Sequence, residues 1–142
     1  MIHKIYASDK RFKPVPFGVG LNIILAERSE GSGDKDTRNG AGKTTLINIV
    51  HFCFGADLHK LDLPTEEIND WSFFIEVDLF GRRITAKRSI ERPNIVYVSG
   101  EASSFMIAPV KDEESKEWFY RNDEWKKLLG VCFFGLHEQA KP

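Results

Sequence analysis

The chain of 142 residues carries 20 Lys and Arg against 21 Asp and Glu, a formal net charge of −1, so no overall field draws it onto nucleic acid or an anionic membrane. With 42% apolar residues it has the material for one core, and a chain of this size buries about 70% of the surface its unfolded form exposes. Cys53 and Cys132, in HFCFG and GVCFFG, lack CxxC spacing and read as buried thiols of a reducing compartment; with no signal-peptide pattern and no uncharged run of membrane-spanning length, the expectation is a cytoplasmic protein with no membrane partner.

In chain order, Ile2 to Ala7 and Phe12 to Phe17 have mixed strand character, and Pro14 and Pro16 hold the second to a sheet edge. Leu21 to Ala26, LNIILA, is almost continuously apolar and predicts a strand buried on both faces. The polar stretch ERSEGSGDKD, Glu27 to Asp36, reads as a mobile loop. A helix is predicted from about Gly42 to Phe54. Its apolar residues Leu46, Ile47, Ile49, Val50, Phe52 and Phe54 wrap more than one side, which predicts a sandwiched helix with His51 packed in the core.

From Trp71 to Phe80 the pattern changes to period two, Phe73, Ile75, Val77 and Leu79 alternating with Ser72, Phe74, Glu76 and Asp78. Gly81 marks a hairpin turn, Arg82 to Ile90 a return strand and Asn94 to Val98 a third, so residues 71–98 read as an antiparallel meander. Asn122, followed by Asp-Glu-Trp, reads as the N-cap of a short helix that ends at Leu129 before Gly130. Trp71, Trp118 and Trp125 read as packing anchors, and His3, His51, His59 and His137 show no metal-ligand spacing.

The chemistry concentrates in DTRNGAGKTTLINIVHF, Asp36 to Phe52. The phosphate-loop pattern is Gly, four residues, then Gly-Lys-Ser/Thr, set between a buried strand and a helix. Here Gly42-Lys43-Thr44 supplies its second half, Asn39-Gly40-Ala41 precedes it, and Thr37 stands where the first glycine is expected. Gly40 and Gly42 admit backbone conformations closed to residues with a Cβ, so successive N–H groups can form an anion nest at the positive end of the helix dipole. Lys43, the candidate catalytic residue, would place its ammonium on the terminal phosphates. Thr44 would complete the shell of a Mg²⁺ ion. Asn39, Gly40, Ala41, Gly42, Lys43, Thr44 and Thr45 are the nucleotide-binding candidates, for a triphosphate with Mg²⁺. A glycine-rich helix cap explains the glycines but not the Lys-Thr pair.

Asn39 through Thr45, preceded by the LNIIL segment and the GVG turn at Gly18 to Gly20, resembles the N-terminal half of the head of SMC-like ATPases, the group that includes RecF and RecN within the ABC superfamily. The combination IHKIYASD, GLNIILA and RNGAGKTTLINIVHFCFG is similar to a bacterial SMC-like group with relatives in anti-phage defence. The resemblance implies an α/β fold, a P-loop NTPase half-domain with a mixed sheet around the P-loop helix and an antiparallel β meander. It further implies one lobe over residues 1–142, made of a strand, loop and helix core at 1–56, a β layer at 71–98 and a helical part at 113–137. Such a lobe would bind ATP with Mg²⁺ in DNA repair, chromosome maintenance or defence. Its partners would be a C-terminal lobe of the same head, a second head joined through ATP, and duplex DNA. Thr37 and the ten extra residues Glu27 to Asp36 depart from the family pattern.

An acidic motif, an apolar strand ending in Asp-Glu, is not found in the chain; FIEVD, Phe74 to Asp78, places its acids on a solvent-facing strand. The family's Ser-Gly-Gly signature loop is not found either, and Gln139 has no supporting context as a γ-phosphate sensor. ATP hydrolysis is therefore expected only when a second lobe and a dimer partner complete the site. Two other readings are a non-catalytic DNA-binding or scaffold module and a small P-loop kinase. The meander argues against the kinase. For the first, alternation puts Arg83, Thr85, Lys87 and Ser89 on one strand face, where Arg83 and Lys87 could meet phosphates. Asp78-Leu-Phe-Gly81 resembles a GTPase DxxG string, but no Asn-Lys-x-Asp guanine reader accompanies it, and Gly81 is better read as the turn.

Overall fold

The computed structural model describes residues 1–24 and 42–136. Seven strands and two helices follow in the order β1 (Ile2–Ala7), β2 (Val15–Pro16), α1 (Lys43–Cys53), β3 (Ser72–Leu79), β4 (Arg82–Ser89), β5 (Ile95–Gly100), β6 (Val110–Lys111), β7 (Trp118–Arg121) and α2 (Asn122–Phe134). The strands form one sheet in the order β2-β1-β3-β4-β5-β7-β6, and every adjacent pair is antiparallel.

The period-two pattern generates the middle of this sheet. Phe73, Ile75, Val77 and Leu79 of β3 are buried, and so are Ile84 and Ala86 of β4 and Val96 and Val98 of β5. Leu79 pairs with Arg82 across a two-residue turn in which Phe80 (φ 50°) and Gly81 (φ 75°) both take positive φ, the turn whose twist matches paired strands. Both helices lie on the buried face. Phe52 of α1 meets Phe73 edge to face at 6.3 Å, and Trp125 of α2 packs against Tyr120 of β7 at 6.0 Å. The opposite face carries no helix among the described residues.

Three expectations are corrected here. The fold is not a P-loop NTPase half-domain with a mixed sheet around the P-loop helix: the described sheet is antiparallel throughout, and α1 rests on one of its faces. Leu21 to Ile24, the described part of the expected buried strand, is irregular, with Leu21 87% and Ile23 72% exposed. A strand buried on both faces needs layers on either side of it, and among the described residues helices cover only one face of this sheet. For the same reason α1 is one-sided: Leu46, Ile49, Phe52 and Cys53 are buried while Ile47 and His51 are exposed.

At the C-terminal end, α2 runs past Gly130 to Phe134 and stops at Gly135, which takes the left-handed conformation at φ 61°. Arg121 is the N-cap position, its backbone N–H donating to the Glu124 carboxylate, and Asn122 is the first, buried helical residue. Of the three tryptophans, Trp125 is fully buried, Trp71 half-buried and Trp118 exposed.

Candidate phosphate-binding site

α1 begins directly at the Gly-Lys-Thr motif. Gly42 occupies the N-cap with φ 90° and ψ 1°, a left-handed conformation that side chains rarely adopt, and a Cβ added there would meet no atom of the described residues within 4 Å. The first helical hydrogen bond runs from Leu46 N–H to the Gly42 carbonyl at 2.9 Å. Among the described residues, the first helical turn has no side-chain cap and no acidic residue to offset the positive end of the helix dipole. Lys43, Thr44 and Thr45 are exposed on that turn. Asn39, Gly40, Ala41, Thr37 and the Glu27 to Asp36 stretch lie outside the described residues.

The other end of α1 is held from three sides. Arg88, only 2% exposed, donates from Nη1 to the Phe52 and Ala56 carbonyls at 2.6 and 2.7 Å and from Nε to the Pro93 carbonyl at 2.6 Å, its guanidinium 4.2 Å from the centre of the Phe52 ring. Trp125 Nε1 donates to the Cys53 carbonyl at 3.0 Å, and Asn122 Nδ2 to the Gly55 carbonyl at 2.9 Å. Gly55 turns the chain at φ 99°, and a Cβ there would lie 2.7 Å from Lys126 Cγ. Burial lowers the Arg88 pKa to about 10, which leaves it charged at neutral pH, and pushes the Cys53 thiol up to about 12. The negative end of the helix thus meets a buried cation while its N-terminal turn stays open.

The sequence reading of β4 singled out Arg83 and Lys87 and gave Arg88 no role of its own. Strand parity was the available signal, because residue 88 shares the inward face of Ile84 and Ala86.

Arg83 and Lys87 lie on the outward face of β4 with Thr85 and Ser89, on the side of the sheet away from α1, so they and Lys43 do not form one site. Both have internal partners. Arg83 Nη2 donates to His3 Nδ1 at 2.8 Å, and His3 Nε2 donates to Asp78 at 2.8 Å, which holds the Asp78 carboxyl below its ordinary value. Lys87 Nζ pairs with Glu117 at 2.7 Å and sits 4.6 Å from the Tyr97 ring centre. Among the described residues no group of three or more His, Cys, Asp or Glu side chains could hold a metal ion, and no helix is long and apolar enough to cross a membrane.

No family model matches the chain, and no solved structure matches it. It is similar to the uncharacterized protein YydD of Bacillus subtilis (strain 168), 31% identical over 112 residues that make up 78% of this chain and 16% of that protein. The chain therefore spans a small part of a much longer relative.

Proposed function

We propose that this chain binds the polyphosphate of ATP together with Mg²⁺ at the N-terminal turn of α1, as the ATP-binding part of a cytoplasmic, SMC-like ATPase that works on DNA. The observation that carries this reading is the open turn itself: Lys43 and Thr44 stand exposed directly after a left-handed Gly42, in a first turn with no capping side chain and no acid. A polyphosphate supplies the acceptors and negative charge that such a turn lacks. The described residues fit the group. Lys43 would hold the terminal phosphates, Thr44 would complete a Mg²⁺ shell of phosphate and water oxygens, and the backbone at Gly42 leaves room for a close approach. The resemblance of Asn39 to Thr45 to SMC-like ATPases supports the choice of ATP.

Hydrolysis in this reading needs an acidic motif and a signature loop from a C-terminal lobe and a partner head. The isolated chain is expected to bind ATP and turn over little. Titration calorimetry with ATP and Mg²⁺ tests the binding: Lys43→Ala should weaken it by about 1.5–3 kcal/mol, the worth of a hydrogen bond to a charged group. Equal affinity of the variant and the parent chain would remove Lys43 from the site.

A further inference from the structure

The sheet face turned away from both helices carries a line of rings set by strand register. Tyr6 of β1 lies opposite Phe74 of β3, Phe74 opposite Lys87 of β4, Lys87 opposite Tyr97 of β5, and Tyr97 opposite Phe119 of β7. All five side chains are half-buried by their neighbours on the face. Tyr6 and Phe74 stack at 4.7 Å with 5° between their planes, and the Tyr97 and Phe119 ring centres are 6.2 Å apart. Two cations lie against the line, Lys4 Nζ 5.1 Å from the Tyr6 ring centre and Lys87 Nζ 4.6 Å from that of Tyr97. An open face of an antiparallel sheet is ordinarily polar, so four aromatics in one register line call for a ligand with flat apolar surfaces.

We propose that this line is a binding site for single-stranded nucleic acid, with unpaired bases stacking on Tyr6, Phe74, Tyr97 and Phe119 and phosphates meeting Lys4, Lys87 and Arg83. Five strands at their usual spacing give the line a length of about 19 Å, room for several nucleotides on a platform of the kind that binds unpaired strands. Lys4 and Lys87 lie against the rings, so a strand that offers flat bases and phosphates together matches both kinds of group on the face. The carboxylates of the face do not close it. Asp78 is held by His3, Glu117 by Lys87, Glu76 lies opposite Lys4, and Asp112, which accepts from the Tyr97 hydroxyl at 3.5 Å, is held by the Glu114 and Ser115 N–H groups at 2.9 and 3.4 Å. Exposed ion pairs like that of Lys87 add little stability, so a phosphate can replace the carboxylate. A duplex keeps its bases stacked inside and offers the rings only its backbone. The site does not rest on ATP binding, since α1 lies on the other side of the sheet.

Fluorescence anisotropy with a labelled DNA strand of about 15 nucleotides, the RNA of the same sequence and the matching duplex tests the proposal. Single strands should bind at least about tenfold tighter than duplex, and Tyr97→Leu and Phe119→Leu should each weaken them about tenfold with an unchanged urea midpoint. Lys43→Ala should leave this binding intact even if it abolishes ATP binding. The DNA and RNA arms identify which strand is the better ligand. No single-strand binding at about 100 μM protein, equal binding of duplex, or leucine variants that bind like the parent chain would each overturn the site. So would a dimer in sedimentation that seats a second copy on the line and disappears in Tyr97→Arg. Should a leucine variant lose its cooperative urea transition, photocrosslinking of a thiothymidine-bearing strand to the parent chain decides: crosslinks on the four aromatics sustain the site, and crosslinks confined elsewhere overturn it.

Discussion

Arg88 shows how one residue can serve a helix that it does not belong to. A buried guanidinium is costly to desolvate, and here it is offset by three carbonyl acceptors, two of them at the end of α1. Arg88→Met should therefore destabilise the chain by about 3–5 kcal/mol in urea denaturation, because three carbonyls lose a charged donor at once. Its neighbour Cys53 gives a pH test. The folded pKa is raised from 9.0 to about 12, so the native state favours the protonated thiol. That stabilisation is whole below pH 9 and is lost as the pH rises toward 12. The urea midpoint should fall across this window more steeply in the parent chain than in Cys53→Ala. At pH 8, a thiol reagent should label half-exposed Cys132 in the native state and Cys53 only on unfolding.

At the scale of elements, legibility followed how locally each element is determined. The start of α1 was readable because Gly42 and the residues after it specify a turn and a helix by themselves. The strands β3 to β5 were readable because alternation reports burial on one face whatever the neighbours are. α2 was misread at Gly130, where propensity favours a stop. Tertiary contact overrides it: Asn122 and Trp125 tie the first turns of α2 to the end of α1, and a Cβ at position 130 would already press to 3.3 Å on Leu136. The candidate site itself was legible as a motif, whereas its support by Arg88, Asn122 and Trp125 comes from residues 32 to 72 positions away in sequence from the carbonyls they hold at Phe52 to Ala56.

For the whole molecule, the misreading of Leu21 to Ile24, the described part of LNIILA, is the instructive one. A continuous apolar run predicts burial on both faces only if the architecture provides a layer on each side, and pattern alone cannot count layers. The described sheet covers one face, and Leu21 and Ile23 remain in solvent. The difference is measurable. Leu21→Ser and Ile23→Ser should each change stability by less than about 0.5 kcal/mol, whereas Ile49→Ala, from the buried side of α1, should cost about 2–5 kcal/mol. Large losses from the serine variants would place the run in a core after all.

The two outermost strands, Val15–Pro16 and Val110–Lys111, are each only two residues long. Short margins that end in a proline or a lysine are poor templates for a further chain to zip onto. Sideways growth into fibres or end-to-end ribbons is thereby discouraged, and visitors are steered toward the broad surfaces instead of the rims.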